Sequence, residues 1–137
     1  MKTAILLFLP ALAWAQAWTP LFDGKTLKGW KQCNGTATYV VENGEIVGTT
    51  AVGSPNSFLC TEKEYGDFIL EWESKNDPVL NSGVQIRSHQ YPQAVGRHPA
   101  GRVYGYQVEI SKTENGNSGG IYDEARRAVF LNPALDA

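Results

Sequence analysis

The stretch Val103-Tyr104-Gly105-Tyr106-Gln107-Val108-Glu109-Ile110-Ser111 decides the fold class. Side chains on a strand alternate between two faces. Tyr106, Val108 and Ile110 therefore share one face, opposed by Gly105, Gln107 and Glu109. The same split recurs upstream. In Ser82–Ser88, Val84 and Ile86 oppose Gln85 and Arg87, and in Phe68–Ser74, Phe68, Leu70 and Trp72 oppose Ile69, Glu71 and Glu73. Each stretch has an apolar face for a core and a second face carrying Glu, Gln or Arg. As neighbours, the three would gather Glu71, Glu73, Gln85, Arg87, Gln107 and Glu109 on one surface.

Two readings of that surface stand. An antiparallel sheet ordinarily wets one face, and polar residues there need no further reason. Against this, Lys and Thr, the usual solvent-face residues, are nearly absent from these positions. A guanidinium fork beside Glu and Gln acceptors also matches the hydroxyl pattern of a sugar.

Working outward, strand and turn signals recur every eight to twelve residues or so. Asp23-Gly24 marks a turn, and Asn43-Gly44 joins Thr38–Val41 to Glu45–Gly48 as a tight hairpin. Ser57–Thr61 and Gly120–Asp123 read as further short strands, and Lys112–Gly120 as an Asn-, Gly- and Ser-rich loop. The sole helix candidate is Asp123–Ala128. There is no internal repeat and no low-complexity linker.

The N-terminus has one Lys, an apolar run from Ala4 to Trp14, and the small-x-small triplets Ala13-Trp14-Ala15 and Ala15-Gln16-Ala17. This predicts a signal peptide over 1–17 and a secreted or periplasmic protein. The run is too short to span a bilayer, so no membrane association is expected after cleavage. The rest, 18–137, has room for one domain. A net charge of −2 gives no reason to expect nucleic acid as a partner. Cys33 and Cys60 are a disulfide candidate in an oxidising compartment, closing a loop worth roughly 3–4 kcal/mol. Two free buried thiols is the alternative.

Glycosyl chemistry uses paired carboxylates. Glu71, Glu73 and Glu109 are candidates, with Asp123 near in sequence. Glu71 and Glu73, two apart on a strand, would have Cα atoms roughly 6–7 Å apart. A carboxylate cluster could instead hold a divalent cation.

Six segments together carry a family resemblance: Leu21-Phe22-Asp23-Gly24-Lys25-Thr26-Leu27-Lys28-Gly29-Trp30, Val41-Glu42-Asn43-Gly44-Glu45-Ile46, Tyr65-Gly66-Asp67-Phe68-Ile69-Leu70 with Glu71, Asn81-Ser82-Gly83-Val84-Gln85-Ile86-Arg87-Ser88, Gly105-Tyr106-Gln107-Val108-Glu109-Ile110, and Gly119-Gly120-Ile121-Tyr122-Asp123. In this order they resemble the 3-keto-disaccharide hydrolase domain family. The resemblance implies an all-β, concanavalin- or laminin-G-like antiparallel jelly-roll sandwich with a sugar-binding concave face. It implies hydrolysis of glycosidic bonds in sugars oxidised at C3, a small-molecule carbohydrate partner, and possible help from a divalent metal ion. It carries function to Glu109, Glu71 and Asp123 as catalytic candidates, and to Arg87, Gln107, Gln85, Glu73 and Tyr122 as substrate-binding candidates. Against that family, 18–137 reads as the N-terminal two-thirds of a domain, so the sandwich is expected to be incomplete.

Two other functions remain open: a non-catalytic carbohydrate-binding module on the same jelly roll, which would show Tyr or Trp on the concave face, and a laminin-G-type interaction domain. Trp30 and Trp72 are expected in the core. His89 and His98 are expected in a solvated loop, and Asn81 at a turn with its amide available to a ligand.

Overall fold

The computed structural model describes residues 17–111 and 118–132. Residues 1–16 of the expected signal peptide, and 112–117 of the expected loop, lie outside them. The described residues form seven strands: β1 (Trp30–Cys33), β2 (Thr38–Glu42), β3 (Glu45–Thr49), β4 (Phe58–Thr61), β5 (Ser82–Gln90), β6 (Val103–Ile110) and β7 (Ile121–Glu124). All pairings are antiparallel, giving two ribbons, β1–β4 and β2–β3, and a three-stranded sheet ordered β5–β6–β7. The protein is all-β, with no helix among the described residues, in keeping with part of a jelly-roll sandwich. No helix of the described residues is long and apolar enough to cross a membrane.

The β2–β3 hairpin is the one expected. Asn43 and Gly44 both take positive φ, 51° and 83°, as the mirror-image hairpin turn requires. That geometry sets Val41 across from Ile46. Ahead of β1, the Asp23 carboxylate accepts from the backbone of Thr26 and Lys25 and from the Thr26 hydroxyl. These donors, Thr26 foremost, pull its pKa down to about 2. The Trp30 indole donates to Leu21 O at 3.1 Å, pinning this turn to β1.

Three expectations are corrected. Phe68–Ser74 is not a strand but an irregular segment with no ladder partner among the described residues. Alternation supplies the pattern of a strand, but not a neighbour to bond with. Trp72 is consequently 43% exposed rather than core. Asp123–Ala128 is not a helix: β7 runs through Glu124, and Ala125 and Ala128 turn the chain with positive φ. The chain then folds back along β7. Asp123 N donates to Val129 O, Leu131 N donates to Ile121 O, and Tyr122 bridges Phe130.

Cys33 and Cys60 are free thiols. Lys31 faces Cys60 across the ribbon, which sets Cys33 diagonal to Cys60 on the same face. Burial and a hydrogen bond with Cys33 push the Cys60 thiol up to about 12. Two loop residues tie this ribbon to the three-stranded sheet. Asn34 Oδ1 accepts from Val103 N at 2.6 Å, and the Arg102 guanidinium lies over the Phe58 ring while donating to Asn56 O.

Candidate active site

The β5–β6–β7 register decides which side chains meet. Gly83 faces Glu109, Gln85 faces Gln107, and Gln107 in turn faces Tyr122 on β7. One face of the sheet thus carries Gln85, Gln107, Glu109 and Tyr122, as alternation requires. Glu124, across from Gly105, joins the same face. The opposite face holds Val84, Ile86, Tyr106, Val108 and Ile121. Unusually for an antiparallel sheet, the polar side is the drier one: Glu109 is 4% exposed, whereas Tyr106 and Val108 are half-buried.

Glu109 is the centre of this face. Asn81 Nδ2 donates to its Oε1, and Gln107 Nε2 donates to its Oε2 at 2.8 Å. Both partners are neutral amides, so the carboxylate is buried without a cation on it. Beside it, the Gln85 amide nitrogen and oxygen are both buried, and neither is hydrogen-bonded by any described residue. Buried side-chain amides are ordinarily satisfied. Gln85 therefore offers one donor pair and one acceptor to whatever enters the face.

Tyr122 completes the row. Its ring meets Phe130 edge-on at 5.2 Å between centroids. Burial first, then the charges of Glu124 and Glu109, raise the phenol pKa, with Arg97 partly offsetting them. Glu124 is itself paired with Arg102 and accepts from Asn56 Nδ2 at 3.2 Å. The face therefore has one carboxylate held by amides and one neutralised by a guanidinium, with the phenol between them in sequence and charge.

Other expected site residues lie elsewhere. Arg87 has φ 52° at an irregularity between Ile86 and His89, which breaks the alternation. Its guanidinium pairs with exposed Asp67 at 3.1 Å and lies over the Phe68 ring, 52% exposed. Glu71 and Glu73 are exposed on the irregular segment and do not line the sheet. Asp123 faces Tyr106 on the apolar side of β7 and is fully buried. Burial alone would raise its pKa, but the hydrogen bonds from Arg127 and Arg126 outweigh burial and hold the carboxyl below its usual range. Its geometry is that of a structural anchor. His89 lies on β5 across from Tyr104, and His98 stacks on Tyr91.

Reading Asp123–Ala128 as a helix candidate passes over Glu124, and Arg102 lies just before β6 with no strand period to place it. One more step of period two from Tyr122 finds Glu124. Asn81 was visible as a polar residue before β5, but its partner Glu109 is 28 positions away. Among the described residues, no three His, Cys, Asp or Glu side chains gather as a metal site.

No curated protein matches the chain. The sequence profile described as the 3-keto-alpha-glucoside-1,2-lyase-like domain matches residues 17–136, nearly all of the sequence. The chain belongs to the 3-keto-alpha-glucoside-1,2-lyase-like domain family.

Proposed function

We propose that this protein is an exported enzyme that cleaves 3-keto-glucosides, with Glu109 as the base on the polar face of β5–β6–β7. The observation that carries the reading is that one face holds both a buried carboxylate bonded only by neutral amides, Glu109, and the unsatisfied buried amide of Gln85. A ketone at C3 makes the hydrogen on C2 acidic. Glu109 takes that proton, and the electron pair moves onto the carbonyl oxygen as an enolate. The Gln85 N–H group is the donor available to that oxygen, in a site dry enough for the hydrogen bond to count. Collapse of the enolate forms the C1–C2 double bond and breaks the bond from C1 to the glycosidic oxygen. Addition of water across the double bond then gives net hydrolysis. The 1,2-lyase wording of the family description supports this order of events.

The test is incubation of the full chain with a 3-keto-disaccharide, with and without added divalent metal, following monosaccharide release. Glu109→Gln keeps the shape but removes the base. It should lower turnover by about 10²–10⁴-fold, with thermal unfolding still cooperative. Binding of the keto sugar without release would support the binding-module reading instead. Full activity in the variant would remove Glu109 as base. N-terminal sequencing of exported protein, expected to begin near Gln16 or Trp18, tests the localisation.

A further inference from the structure

Elimination leaves one requirement unmet by Glu109: the departing glycosidic oxygen must gain a proton. From the position of Tyr122 we infer that its phenol is the proton donor to the leaving group. The inference rests on the elimination reading above.

Four observations support it. Tyr122 stands across from Gln107 and diagonal to Glu109, so donor and base share one face, about one residue pair apart along the sheet. Its ring is half-buried, and no hydrogen bond from a described residue reaches its hydroxyl. The ring is also fixed from behind. Phe130 meets it edge-on at 5.2 Å, and the backbones of the two residues form an antiparallel bridge. Lastly, the groups around it keep that proton in place. Burial first, and then the charges of Glu124 and Glu109, oppose a phenolate, and Arg97, the one cation offsetting them, does not reverse the effect.

Other acids on the face are less suited. Glu124 is paired with Arg102 and accepts from Asn56, so two protein donors already engage it. Asp123 is on the far face between two arginines. That leaves the phenol as the group on this face that carries a proton and has no partner to which it is committed.

The step balances. Glu109 gains the C2 proton, and the C–H electron pair becomes the new C1–C2 bond. The C1–O pair leaves with oxygen, which takes the Tyr122 proton. The resulting phenolate and the protonated Glu109 are reset by proton exchange through water.

The experiment compares Tyr122→Phe with the natural sequence on two substrates. One is a 3-keto-disaccharide, whose sugar alkoxide cannot leave unprotonated. The other is the 3-keto-glucoside of 4-nitrophenol, whose leaving group departs as a stable anion. Phe keeps the ring against Phe130. The variant should lose about 10²–10⁴-fold in kcat on the disaccharide and less than about threefold on the nitrophenyl substrate, after subtraction of spontaneous elimination. Equal losses on both substrates would overturn the proposal, since a packing or binding defect does not distinguish leaving groups. Unchanged rates on both would overturn it as well. If the natural sequence cleaves neither substrate, the elimination reading fails, and the donor role with it. A thermal melt of the variant, matching within a few degrees, shows that it folds.

Discussion

Gly83 has no side chain, and the Gln107 side chain uses the space. A Cβ at position 83 would lie 2.6 Å from Gln107 Cγ and 2.7 Å from Val108 O. Gln107 must lie flat across β5 to reach Glu109, so the missing side chain on one strand sets the hydrogen bond on the next. Gly83→Ala should push Gln107 aside and break its bond to Glu109. We expect a loss of about 1–3 kcal/mol in stability from overpacking, read by urea unfolding, and at least a tenfold loss in 3-keto-disaccharide cleavage. At this scale the sequence was readable where strand period alone decides. Gln85, Gln107 and Glu109 share the expected face because nothing interrupts the ladder between them. Arg87 leaves it because a one-residue irregularity, invisible to a count of two, re-aims its side chain toward Asp67.

Among the elements, β7 carries the heaviest electrostatic duty. Asp123 puts a carboxylate on an apolar face, and Arg126 and Arg127 from the following turn neutralise it. Arg126 also lies over the Tyr106 ring, 4.6 Å from its centroid. The pair thus closes the turn that brings Phe130 back to Tyr122. Because the folded Asp123 pKa lies below the ordinary value of 3.8, its stabilising contribution is complete above that value. It is lost as pH falls below 3.8 through the folded value. Asp123→Asn should lower stability near neutral pH by about 1.5–3 kcal/mol, the range for hydrogen bonds to charged groups. The gap between variant and natural sequence should narrow in melts taken from pH 5 toward pH 2. An unchanging gap would mean that the arginines do not hold the ionised form. The family resemblance implied a catalytic role for Asp123 and a binding role for its neighbour Tyr122. Neighbours on a strand face opposite ways, and that is why only one of the two reaches the site.

For the whole molecule, the strand pattern was legible but its partners were not. Phe68–Ser74 has cleaner alternation than β1, which was not recognised, yet β1 pairs and Phe68–Ser74 does not. Pairing depends on which neighbour lies alongside, and no local pattern encodes that. The result is an apolar segment in water: Phe68, Ile69 and Trp72 are all exposed, Ile69 at 62%. Buried apolar residues among those described are Cys33, Val103 and Ala125. Such exposure invites association. Ile69→Lys should lower binding of a hydrophobic dye and raise solubility, with unfolding free energy within about 0.5 kcal/mol of the natural sequence. A large loss of stability would show that Ile69 is covered in solution.

The return of residues 129–131 along β7 has a geometric consequence. It occupies one border of the three-stranded sheet with the protein's own backbone, while among the described residues the outer border of β5 is unclaimed. A sheet open at both borders can grow without limit, because each added copy offers a new border. The fold-back does not close the sheet but replaces the β7 border with a short one of its own, which blunts that border. The fold-back that braces Tyr122 therefore leaves β5, nine residues long, as the longer border among the described residues at which another strand can pair.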